Sequence, residues 1–212
     1  MEGFSLLDYR IAEMPNDVVP WYGVSEEGLI ISRNQMMRSE EGLLGNLVHK
    51  YSHSWWGNEV RPTGPGSFLL GEGMASFSGF ELFASFYGLA HTLEGLEFGS
   101  ANGSPDTTIY GYVELWRGGK DVPVSQLKPG VGDEYNIAQS KGVWLLRMLA
   151  DRMGKDRFFA TSRGLIETLP DLTLAAFRAA MARAAPEDKT LPDFFLSGST
   201  RQEYRAGCPV AQ

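Results

Sequence analysis

Apolar positions in the first half of the chain recur at helical spacing. Leu43, Leu44, Leu47, Val48, Tyr51 and Trp55 form such a run, with Ser39 as candidate N-cap and Glu40 and Glu41 in the first turn. They predict a helix over about 40–56. The stretch FLLGEGMASFSGFELFASFYG is apolar with small residues and predicts a second core helix over 69–87. Gly71, Gly73 and Gly79 lower its intrinsic propensity, so packing must compensate. Ahead of both, Leu6 to Met14 and Gly28 to Ser32 mix apolar residues with Pro, Asn, Asp and Gly punctuation. They predict two strands with PNDVVPWYG between them, at a sheet edge overhanging a cleft. The segment 88–133 is rich in glycine and weakly periodic, which predicts loops with short elements and a candidate lid. Helices are expected at about 136–153, 155–166 and 172–184, the last after the start signal Pro170 and Asp171. The expected class is α+β, mainly α. A hairpin region (1–35) precedes two helices (36–90), a loop-rich part (91–134) and a helical C-terminal part (135–212).

A length of 212 residues with 43% hydrophobic content suits one well-cored domain. The start MEGFSLLDYR has no basic cluster and no apolar run of signal length, and no stretch approaches the roughly 18 apolar residues of a membrane span, so a cytoplasmic protein is expected. Cys208 is the single cysteine, which excludes an internal disulfide framework and suits a reducing compartment. A net charge of −7 without a Lys/Arg cluster argues against nucleic acid or an anionic membrane as partner. The 25 glycines are dispersed, and there is no internal repeat.

The chemistry concentrates in NLVHKYSHSWWGN and GEGMASF. His49 and His53 lie four residues apart, so they share a helical face, and Glu72 follows after the interruption RPTGPG, which lets the chain reverse. Two imidazoles and a carboxylate are the ligand set of a catalytic zinc with an open position. In H-E-x-x-H sites the residue after the first histidine is a glutamate that serves as general base. Here it is Lys50. His91 stands outside any motif and reads as a surface histidine, and Trp55 and Trp56 read as core aromatics.

At these residues the chain resembles the aminopeptidase N family of gluzincin zinc metallopeptidases, which also contains the leukotriene hydrolases. That family's H-E-x-x-H-x-W-[FW]-G-N-x-V corresponds to His49, His53, Trp55, Trp56, Gly57, Asn58 and Val60; its W-L-x-E-G-[FL]-A-x-[YF] corresponds to Leu70, Glu72, Gly73, Met74, Ala75 and Phe77. YRIAEMPNDVVPWYGVSEEGLI at 9–30 resembles the strands carrying the family's G-x-M-E-N motif, QSKGVWLLRML at 139–149 its Y-x-K-G helix, and LPDFF at 191–195 its closing turn. The resemblance covers nearly the whole chain and implies a thermolysin-like catalytic domain with one zinc ion. It does not include the β domain that precedes this module in the family or the helical domain that often follows. A sheet edge near the N-terminal strands is therefore expected to be covered by a protein partner or a second copy.

The departures from the family pattern fall at the chemistry. Besides Lys50, Gln139 stands at the tyrosine that stabilises the oxyanion, and Ser25 at the glutamate that grips a peptide's amine. Glu26 or Glu27 is an alternative amine anchor, and Tyr135 lies one helical turn before Gln139. Lys50 carries three readings: a relic side chain that snorkels away, an amine base with lowered pKa, or a cation that joins zinc in an electropositive corner. Three functions follow. One is a zinc enzyme repurposed from peptide hydrolysis to elimination or intramolecular amine displacement in a biosynthetic pathway, acting on a small amine-containing molecule. The others are a slow residual aminopeptidase and a non-catalytic binding module.

Overall fold

The computed structural model describes residues 9–15, 17, 23–26, 28–33, 40–92, 109–129 and 133–191. Glu27, Ser39, Cys208 and most of LPDFF lie outside the described residues, as do 93–108 of the candidate lid. The architecture is α+β and mainly helical, with a small three-stranded sheet near the N-terminus and a second sheet of two strands.

The first sheet contains β1 (Arg10–Met14), β2 (Gly23–Glu26) and β3 (Leu29–Arg33), in the order β1-β3-β2. β2 and β3 form an antiparallel hairpin, and β1 runs parallel to β3. Two strands were expected, and the third is GVSE, which lacks the β-branched run that marks a strand in sequence. Its strand character comes from pairing with β3, a tertiary effect that local propensity does not carry. On the side toward the helices, the Asn46 amide donates to the buried Ser32 hydroxyl at 2.6 Å, tying β3 to α1 (Glu40–Ser52).

Helix α1 ends at Ser52, earlier than expected, so His53 lies in the following turn. Its N–H reaches back to Lys50 O at 3.3 Å, and the next N–H groups repeat this tighter pattern. The chain then folds over: Asn58, Glu59 and Val60 donate to the carbonyls of His53, Ser54 and Trp55. Gly57 has φ +142° and passes so close that a Cβ there would lie 3.4 Å from His53 O, so a glycine permits the reversal.

Strand β4 (Arg61–Thr63) pairs in parallel with β5 (Asp171–Thr173), which fastens the returning chain to the C-terminal half. The predicted helix over 172–184 accordingly begins later, as α7 (Leu174–Ala184), with Thr173 Oγ1 accepting from Ala176 N at its N-cap. Helix α2 (Met74–Tyr87) is preceded by a π turn, Leu69–Gly73, whose register ends where Met74 N–H meets Leu69 O and Gly71 O. The segment expected as loops contains α3 (Ile109–Arg117) and a 3₁₀ turn at Val124–Gln126. The helix expected over 136–153 is two, α4 (Asp133–Gln139) and α5 (Lys141–Met153), broken at Ser140. The Ser140 hydroxyl donates to Asn136 O at 2.6 Å, a side-chain bond that bends helices. Helix α6 (Lys155–Thr168) follows, and buried Phe77, Phe158 and Phe177 join α2, α6 and α7 in one core. Among the described residues no helix is long and apolar enough to cross a membrane.

Candidate metal centre

His49, His53 and Glu72 converge from the last turn of α1, the turn behind it and the π turn before α2. One ligand atom from each lies within 4.8 Å of the others. His53 Nε2 is 3.1 Å from His49 Nε2 and 3.6 Å from Glu72 Oε1, and His49 Nε2 is 3.4 Å from Glu72 Oε2. Donors about 2.1 Å from a shared ion at the tetrahedral angle stand about 3.4 Å apart. The spacing therefore fits a metal ion, and the cluster could hold one.

The helix packing that creates this spacing is tight. Gly79 on α2 lies against α1, where a Cβ would meet His49 N at 3.4 Å. Glu72 and Ser76 share a face of the π turn and α2, and Ser76 Oγ lies 3.1 Å from His49 Nδ1. His53 Nδ1 lies 3.2 Å from Trp56 O. A carbonyl only accepts, so Nδ1 of His53 carries the proton and Nε2 presents a lone pair. Either a cation or a proton on His49 must lie between the two Nε2 atoms, since facing lone pairs at that distance repel. Gln139 Nε2 donates to Glu72 Oε2 at 3.3 Å. Each candidate ligand thus has an outer partner that orients it, as metal ligands do.

Burial, more than any neighbour, lowers His49 from 6.5 to about 4, the charges of Lys50 and His53 adding to it against Glu72. His53 is lowered by burial too, with Lys50 in support and Glu72 and the Trp56 carbonyl opposed. Burial pushes the Glu72 carboxyl up, but the hydrogen bond with His49 and the charges of His49, His53 and Lys50 outweigh it and bring it down to about 2. Near neutral pH the trio is therefore two neutral imidazoles and one carboxylate, the protonation state a metal requires.

Lys50 does not snorkel away. It is 8% exposed, and burial lowers its pKa against the pull of Glu72. Long aliphatic stems normally carry the ammonium to water, but Lys50 sits on the packed face of α1 beside the cluster. No ion-pair partner within 4 Å of it is found among the described residues.

The other expected site residues divide. Gln139 is brought to the cluster. Tyr135 packs its ring against Phe68 in a tilted pair, with centroids 6.1 Å apart. Ser25 lies on β2 with a buried hydroxyl, and Glu26 ends the same strand exposed. His91 is exposed on the surface and stacks with Phe83. Sequence reading missed Ser76, although its place one turn after Glu72 was a readable signal. Comparison with protein-family models finds no match, and none is found among curated proteins.

Proposed function

We propose that this protein is a zinc enzyme with an aminopeptidase-like catalytic domain, repurposed from peptide hydrolysis to displacement of an anionic leaving group. One observation carries the reading: a buried lysine stands beside an intact His49, His53 and Glu72 trio, at the position where a peptidase keeps its carboxylate base. Loss of function by drift removes ligands as readily as a base, and here the three candidate ligands are kept while the residues at the family's base, oxyanion and amine-binding positions are changed. Zinc bound to the trio would supply a Lewis acid for an oxygen of the leaving group.

In the proposed reaction the substrate's own amine forms a C–N bond to a carbon that carries a sulfate or phosphate ester. The C–O bond breaks, its electron pair leaves on the oxyanion, and the amine's proton passes to water. Lys50 as a cation favours that departing charge, which a carboxylate at the same position would oppose. Elimination of the same group is a sister reaction of this site. Peptide hydrolysis is disfavoured because general-base assistance supplies roughly 10²- to 10⁴-fold in rate.

The N-terminal sheet supports a partner in the same reading. Among the described residues β1 is an edge strand, and Ile11 on it is 50% exposed, so a second subunit or a second copy would cover it. Sedimentation of the native protein tests this, and a monomer without a copurifying chain removes the partner.

The functional test starts with metal analysis of protein purified without chelator, where one zinc per chain is expected. Aminoalkyl sulfates and phosphates are then assayed for zinc-dependent release of inorganic anion with loss of primary amine, and Lys50→Ala is expected to abolish it. Substoichiometric metal after zinc loading, or efficient turnover of aminoacyl amides, refutes the proposal.

A further inference from the structure

We infer that Gln139 is a positioning residue for the metal centre, its amide fixing the orientation of the Glu72 carboxylate toward His49 and His53. This inference rests on the trio being a zinc site and adds a role at a position where the resembling peptidases have a substrate-facing tyrosine. Three observations carry it.

The first is the bond itself: the Gln139 amide donates to Glu72 Oε2, the oxygen 3.4 Å from His49 Nε2, while Oε1 lies 3.6 Å from His53 Nε2, so the bond bears on the oxygens that face both imidazoles. An amide hydrogen bond occupies one lone pair of Oε2 and restrains rotation of the carboxylate. The second is the backbone beneath it. The π turn carrying Glu72 lies directly on the α4–α5 junction carrying Gln139, and glycines stand on both sides. A Cβ at Gly73 would lie 2.9 Å from Leu69 Cδ1 and 3.4 Å from Ala138 O, and one at Gly142 would lie 2.9 Å from the same Leu69 carbon and 3.7 Å from Gly73 Cα. The close approach brings a side chain as short as glutamine within reach of the carboxylate. The third is the π turn: its wider i to i+5 step changes the face on which Glu72 projects, compared with an unbroken α-helix. A carboxylate on an irregular turn gains most from an external restraint, and Gln139 supplies a side-chain donor to Glu72 from the α4–α5 side.

The experiment compares zinc affinity by chelator competition in wild type, Gln139→Met, which has similar length and no donor, and Gln139→Asn, which keeps the amide one carbon too short. Both variants are expected to bind zinc roughly 10- to 100-fold more weakly, as removal of an outer-shell partner does. Their cobalt-substituted visible spectra are expected to shift, and their metal-free unfolding midpoints to match wild type. Equal affinities and unchanged spectra in both variants overturn the inference, as does a loss of affinity matched by a loss of metal-free stability. If wild type itself binds no zinc, the zinc reading fails, and that result is distinct from the one that sinks Gln139.

Discussion

Acidifying the metal-free protein from about pH 7 to about pH 4.5 is expected to remove about 3 kcal/mol of folding free energy through His49 alone. Burial brings this imidazole from 6.5 down to about 4, so between those values the unfolded chain binds a proton that the folded chain does not. The stabilisation is complete above 6.5 and is lost as pH falls toward 4. Each pH unit in that interval corresponds to about 1.4 kcal/mol, and about two of them lie above pH 4.5. His53 is lowered too and acts with the same sign, whereas Glu72, brought to about 2, loses its contribution only below its ordinary 4.5. A loss of that size is a large share of the 5–15 kcal/mol typical of a domain. Urea denaturation with chelator present, at both pH values, measures it in wild type and in His49→Gln. The variant should lose markedly less. Wild-type stability that is flat across the interval, or an equal loss in the variant, refutes the burial argument.

Two further substitutions probe the centre. Lys50→Met should raise the unfolding free energy of the metal-free protein by about 1–3 kcal/mol at neutral pH, because a buried ammonium with no ion-pair partner among the described residues is costly and methionine fills a similar volume. Chemical denaturation reads this, and a loss would show that attraction to Glu72 outweighs burial. Gly73→Ala should destabilise the fold by about 1–3 kcal/mol, since its Cβ must displace the buried Leu69 side chain against the α4–α5 junction. Thermal unfolding and zinc titration of the same sample should move together.

The candidate trio was legible because the spacing of its two histidines is local and Glu72 follows on the next predicted helix. A four-residue step places His49 and His53 on one side of a helix, and the difference between α1's last turn and the tighter turn behind it leaves that relation nearly intact. The helical second half was legible for the same reason, since amphipathic spacing is written along the chain. Ser76 belongs to this readable class, as a residue one turn from Glu72.

What only the tertiary structure decided depends on approach between distant segments. GVSE is a strand because β3 lies beside it, and DLT is a strand because Arg61–Thr63 does. The reach of Gln139 to Glu72 depends on the close packing at Gly73 and Gly142, which brings the π turn against the α4–α5 junction. The burial of Lys50 is of the same kind. From its letter alone the side chain had every freedom to reach water, and the packed face of α1 removes that freedom. Local spacing thus determined that the two histidines face one way, whereas the approach of Glu72, the environment that sets their protonation and their outer partners are properties of packed surfaces, which a linear pattern does not encode.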